Sequence, residues 1–198
     1  MLMMATDHDN RYMQLLGASR ERLIDQYIAR LIIAPRESTG VLPLHMGLGE
    51  ERFQQFFDRR FPDMTPWFLQ SFAPNPVDIE RSMLRDELLR MRADEIQELY
   101  ELLETHRNQL FEAEISIIVA TGCMGGDHLW RDLGFPDRSW LSDFIQLVYP
   151  DLKALNHKDM KWKRFLYKQL CESGGSYVCR APSCEQCAAY DDCFGPEE

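Results

Sequence analysis

Four of the six cysteines stand in the last twenty residues, at Cys179, Cys184, Cys187 and Cys193. They are spaced C-x4-C-x2-C-x5-C within the segment VCRAPSCEQCAAYDDCFGPEE. Four thiols in so short a stretch can converge on a single centre. Few structural needs other than metal binding place them there, so the C-terminus reads as an irregular loop wrapped around what it holds.

Three occupants compete for that loop. Disulfides belong to oxidising compartments. The opening MLMMATDHDN has no basic region followed by an apolar one, so no secretory signal is expected. No apolar run approaches the length of a membrane span, and the expected location is the cytoplasm, where cysteine clusters bind metal more often than they pair. Zinc sites with four thiolates are usually built from two C-x2-C knuckles a dozen or more residues apart. Here there is one such pair, Cys184 and Cys187. An iron–sulfur centre suits the wider spacers better, because its irons are held by thiolates spread around a larger core. The first three cysteines match the C-x4-C-x2-C run of plant-type ferredoxins, but the fourth comes too soon for that class and its surroundings are not β-rich.

The 198 residues suffice for one substantial domain or two small ones, and 45% hydrophobic content permits an ordinary core. The net charge of −10 disfavours a broad nucleic-acid footprint and an anionic membrane surface. The plain expectation is an acidic protein with protein partners.

The pattern is helical almost throughout, which makes the fold class all-α. Ser19 is a candidate N-cap for RERLIDQYIARLIIA, where Leu23, Tyr27, Ile28, Leu31 and Ile32 repeat at helical spacing until Pro35. A short helix in GEERFQQFFDRRF would bury Phe53, Phe56 and Phe57. Residues 73–78, APNPVD, read as a linker and a sub-boundary within a helical domain of residues 1–172. A long pattern from Asp78 to His106, broken near Ala93, places Ile79 and Met83, then Ile96, Leu99 and Leu103, on apolar stripes. LFEAEISIIVAT reads as an apolar helix, with a strand at Ile115–Val119 as the alternative. SWLSDFIQLVY is a helix ended by Pro150, and a last helix over 151–172 carries Trp162, Phe165, Leu166 and Leu170 on one face. Residues 173–198 form the cysteine loop.

TGCMGGDHLW is a second candidate for chemistry. Cys123, Asp127 and His128 fall within six residues at a glycine-rich break before a helix. Backbone N–H groups at a helix start attract oxyanions, and His and Cys ligate transition metals. Against this, Asp127 can act as an N-cap, Cys123 as a small buried residue and His128 as a surface group. Cys171, eight residues before Cys179, reads as a buried structural thiol rather than a fifth ligand. Six basic residues on 151–170 (Lys153, Lys158, Lys161, Lys163, Arg164, Lys168) face Asp151 and Asp159. They could dock an acidic partner near the cluster, although a solvated face is the commoner explanation. No Ser–His–Asp or paired-carboxylate arrangement is identifiable, and no catalytic residue is assigned.

The run DMKWKRFLYKQLCE…YVCRAPSC…CFGPEE, with HLWRDLGFPDRSWLSDF upstream, resembles the NifQ proteins of nitrogen fixation. The resemblance covers residues 110–198 well and the N-terminal half in general pattern. It implies a carrier rather than an enzyme, one that supplies molybdenum for the iron–molybdenum cofactor of nitrogenase. The implied cofactors are an iron–sulfur cluster, [3Fe–4S] or [4Fe–4S], and molybdenum held within it. The implied partners are the cofactor-assembly scaffold and the nitrogenase reductase, with no nucleic acid and no membrane. Cys179, Cys184, Cys187 and Cys193 fall on the family's cysteine motif as cluster ligands, and His128 falls in its His-Leu-Trp segment. Two other classes compete. Helical iron–sulfur DNA-repair glycosylases end in a similar loop, but with a first spacer of six, and no helix-hairpin-helix glycine hairpin is found here. A zinc-stapled interaction module would use the same four cysteines structurally.

Overall fold

The computed structural model describes residues 7–20, 22–74, 76–174 and 190–195. Among these the secondary structure is helical, with no strand. The helices are α1 (Asp7–Ala18), α2 (Arg22–Ile33), α3 (Glu50–Arg60), α4 (Thr65–Ser71), α5 (Pro76–Met91), α6 (Ala93–His106) and α7 (Glu114–Cys123). They continue as α8 (Leu129–Asp132), α9 (Arg138–Val148), α10 (Pro150–Leu155), α11 (Trp162–Glu172) and α12 (Tyr190–Phe194), and a 3₁₀ turn, Ala34–Arg36, follows α2.

α7 lies at the centre. Its β-branched residues left a strand open, but a strand needs a neighbour for its backbone N–H and C=O groups, whereas a helix satisfies them internally. Ile115, Ile118, Val119, Ala120 and Cys123 are all buried, as expected of a helix apolar on every side. Of the two hydroxyls that this buries, on Ser116 and Thr121, that of Ser116 lies 3.0 Å from that of Tyr149. α6 packs along α7 and also meets α11; α9 lies against α10 and α2, and α1 covers α2.

The stripe on α2 is buried as its spacing implies, at Tyr27, Ile28, Leu31 and Ile32, but Leu23 is exposed. Phe53, Phe56 and Phe57 are buried on α3. The long 78–106 pattern breaks at Arg92, one residue before the expected point. Leu99 and Leu103 on its second half are core residues, but Ile79 and Met83 are not: they are 44% and 65% exposed. α5 is held by polar contacts instead. Ser82 Oγ accepts the N–H of Leu44 at 3.0 Å, and Arg85 donates to the carbonyls of Leu42 and Gly40 at 3.0 and 3.2 Å.

The last two expected helices are divided differently. Pro150 is the first residue of α10 rather than a terminator, a position where its missing N–H is no loss. The expected helix over 151–172 is two helices. Asn156 breaks it by accepting the N–H of Met160 at 2.9 Å and donating to the carbonyl of Met160 at 2.8 Å, with Asp159 at φ 54 between them. Trp162, Phe165, Leu166 and Leu170 are nonetheless all buried. The basic residues of this stretch do not form one face. Lys163 pairs with Asp132, Lys168 lies 2.9 Å from Glu172, and Lys153 sits 5.5 Å from the centre of the Trp162 ring.

Two constraints tie the N-terminal helices to this core. Gly134 takes φ +78, and a Cβ there would stand 2.2 Å from that of Ala34, so α8 approaches the 3₁₀ turn at a distance only glycine allows. Arg60, buried at the end of α3, pairs with Asp25 of α2 at 3.2 Å and with Glu112, just ahead of α7. Asp25→Ala should lower unfolding free energy in denaturant titration by about 3 kcal/mol, because it leaves the guanidinium buried beside one carboxylate fewer. A change under about 0.5 kcal/mol would show that Arg60 is not held by Asp25.

Candidate functional site

α11 leads into the cysteine segment, so its own attachments locate that segment's two ends. The N–H of Lys161, which precedes the first turn, donates to the carbonyl of Cys193 at 2.8 Å, and its ammonium reaches the carbonyl of Asp191 at 3.2 Å. α12 is thereby seated at the start of α11. At the other end Gly174, at φ +90, closes the helix with an N–H bond to the carbonyl of Cys171 at 3.2 Å. An 11-residue helix is roughly 16 Å long, so the segment leaves from one end of α11 and returns to the other. Cys193 and Phe194 are partly buried and pack on the hydrophobic core. Cys193 is the one motif cysteine among the described residues; Cys179, Cys184 and Cys187 lie outside them. Cys171, read from sequence as a buried thiol, is partly exposed.

The second candidate segment meets the same end of α11. Lys163 donates to the carbonyl of Gly125 at 2.9 Å and pairs with Asp132. The Asp132 carboxylate also accepts the N–H of Asp127 at 3.1 Å, and its side chain is only 3% exposed. Gly125 leaves room for that carboxylate: a Cβ there would lie 2.3 Å from it. α12 and the glycine turn are thus both attached to the start of α11, through Lys161 and Lys163.

A second bridge lies one layer further along. Arg92, at the break between α5 and α6, donates to the carbonyl of Met124 at 2.7 Å and to both carboxylate oxygens of Glu95 at 2.8 Å. The hydroxyl of Tyr167 on α11 donates to the same carboxylate. The hydrogen bond from Arg92, chiefly, holds the Glu95 carboxyl below its usual range. Burial, chiefly, raises the Tyr167 phenol, and the Glu95 hydrogen bond adds to that.

Cys123, at the end of α7, is 2% exposed, and burial pushes its thiol up to about 12 despite the opposing pull of Lys163. Asp127 is exposed and accepts the N–H of His128 at 2.7 Å, the main reason its carboxyl lies below the usual range. It is not the N-cap of the short helix, as the sequence suggested. His128 holds that position in an extended conformation, and Asp127 stands one residue further out. His128 is half-buried. Among the described residues no group of three or more His, Cys, Asp or Glu side chains is arranged to hold a metal ion.

Sequence reading missed Asp132 and Arg92 and saw Lys163 only as one of a basic run. The contacts of Lys163 with Asp132 and of Arg92 with Met124 span 31 and 32 residues, and no local spacing marks such a pair.

Lys163→Met should destabilise the fold by about 3 kcal/mol, because it strands a buried carboxylate. Amide exchange should rise over residues 124–132 and the first turn of α11; unchanged protection there would refute the clamp. Cys123 should resist iodoacetamide at pH 8 in the native protein and react on unfolding, as peptide mass spectrometry would show. Rapid native alkylation would contradict the buried, protonated thiol.

No solved structure matches the chain. Among curated proteins, the protein NifQ of Azotobacter vinelandii is 43% identical over 173 residues, covering 86% of this chain and 88% of that protein. The protein NifQ of Klebsiella pneumoniae is 30% identical over 169 residues, covering 85% of this chain and 96% of the relative. That of Rhodobacter capsulatus is 41% identical over 83 residues, 42% of this chain and 46% of its own. The NifQ family model matches residues 27–195, a span that holds both the glycine turn around His128 and all four C-terminal cysteines. The chain belongs to the NifQ family.

Proposed function

We propose that this chain carries molybdenum within an iron–sulfur centre held by Cys179, Cys184, Cys187 and Cys193, and hands it on during assembly of the iron–molybdenum cofactor. Membership of the NifQ family, which implies a role in the biosynthesis of that nitrogenase cofactor, carries the reading. The donor set fits. Thiolates are soft ligands suited to iron and sulfide, and cluster sulfide is in turn a soft ligand for reduced molybdenum. The role asked of the chain is delivery rather than turnover, with the cofactor-assembly scaffold as recipient and the nitrogenase reductase as helper.

The geometry supports a donor in two respects. Cys193 is tied through its backbone carbonyl and its thiol is partly exposed, so a ligand position is anchored without being sealed into the core. His128 lies on a segment clamped to the same end of α11, and with Asp127 it could contribute N or O donors to a metal in transit. Cys123 serves the core in this reading: thiol ligands bind metal as thiolates, and burial opposes that ionisation.

Protein purified anaerobically from molybdate-fed cells should contain iron and molybdenum together and show a cluster signal by electron paramagnetic resonance. Cys184→Ala and Cys187→Ala should bring both metals to near background while leaving the helical circular dichroism unchanged. Zinc without iron would make the loop a structural staple and overturn the proposal. So would a Cys184→Ala protein with undiminished iron content and molybdenum delivery.

A further inference from the structure

On the side of the molecule built by α3, α4 and α5 lies a cleft of about 350 Å³ that the metal-carrier reading does not use. Its walls are apolar, formed by Phe53, Phe68, Phe72, Ile79 and Met83. Arg36, the last residue of the 3₁₀ turn, lies among them. Its guanidinium sits 5.0 Å from the centre of the Phe53 ring and 4.5 Å from that of Phe68. One N–H group donates to the carbonyl of Ile32 at 2.8 Å. Among the described residues no carboxylate comes within 4.0 Å of this cation.

That arrangement is incomplete on energetic grounds. A guanidinium has five donors, and one is used. The two ring faces attract the cation but do not neutralise it, so the half-buried guanidinium keeps donors free for an anion in the cleft. Burial accordingly pushes Arg36 down to about 9. Arg60, which is more deeply buried than the half-buried Arg36, has two carboxylates in place. The cleft also leaves hydrocarbon uncovered where α5 borders it, since both Ile79 and Met83 are exposed.

The remaining polar groups narrow the ligand. His45 lies 5.5 Å from the Phe53 ring, and burial, then Arg36, hold its imidazole below the usual range. Glu50 and Asp86 also line the cleft, and burial raises the Asp86 carboxyl. The amide of Gln54 is committed to Asp58 and Thr65 at 3.1 and 3.0 Å. Two carboxylates beside one arginine disfavour a dianion such as phosphate or molybdate, and apolar walls offer such an ion nothing. A single negative charge on a hydrocarbon body satisfies both features.

We infer that this cleft binds a small apolar monocarboxylate, its carboxylate paired with Arg36 and its hydrocarbon body between the phenylalanine rings and the Ile79 and Met83 side chains. The inference uses none of the cysteines assigned to the metal centre and is independent of the metal-carrier reading.

The full-length protein can be titrated with 3-phenylpropionate, followed by amide and arginine side-chain NMR and by calorimetry. Its neutral isostere 3-phenylpropanamide and inorganic molybdate serve as comparisons. Saturable 1:1 binding should perturb signals of Arg36, His45 and the 68–83 segment. The amide should bind at least about tenfold more weakly, as should acid binding to Arg36→Gln. Asp86→Asn, which removes a repelling charge, should tighten binding of the acid by about two- to tenfold, and this opposite sign does not depend on the arginine variant being stable. Equal affinity for acid and amide would overturn the inference. So would no saturation by about 10 mM, tighter binding of molybdate, or shifts confined to other parts of the molecule.

Discussion

A carboxylate with 3% of its side chain exposed can stay charged only if a cation and hydrogen-bond donors come to it. Asp132 takes the ammonium of Lys163 and the N–H of Asp127, and packs against a residue with no Cβ, Gly125. Those contacts join α11 to the turn between α7 and α8. Arg92 and Tyr167, meeting at Glu95, repeat the join one layer further along. The helix that leads into the cysteine segment is therefore pinned to the central core by electrostatics as well as by Trp162, Phe165, Leu166 and Leu170.

This division of labour suits a carrier. The core is helical, and the buried thiol among its described residues, Cys123, is kept protonated by burial. The cysteines assigned to the centre follow Gly174 in the sequence, and the last of them, Cys193, is tied to the start of α11 through its backbone carbonyl. The proposed carboxylate cleft lies on another set of helices, α3 to α5, so binding there and metal loading engage different residues.

The reading of local pattern succeeded where one helix face decides the outcome. The stripe of Tyr27, Ile28, Leu31 and Ile32, the three phenylalanines of α3 and the face of α11 all became core, because side chains 3 and 4 residues apart share a side of a helix. It failed where a polar contact from elsewhere competes. Ile79 and Met83 continue an apolar period, yet α5 is oriented by Ser82 and Arg85 reaching the loop at Gly40–Leu44, which turns those two residues outward. Asn156 splits a periodic run because its amide satisfies both backbone groups of Met160 better than a continuing helix would. Arg36 and His45 gave no sequence signal, since a lone arginine before a polar loop is ordinary until two aromatic rings from other helices close around it.

What the sequence determined by itself was the class of fold and the kind of donor atom on offer at the C-terminus. Four cysteines within fifteen residues specify a soft donor set whatever their surroundings, and 3.6-residue periodicity specifies helices, because both depend on covalent neighbours alone. What only the tertiary structure decided was which charges meet. Asp132 with Lys163, Arg60 with Asp25 and Glu112, and Arg36 with no carboxylate are outcomes of how helices far apart in the chain pack. Burial sets the energy of each such pairing, and burial is a property of the packed molecule rather than of any segment within it.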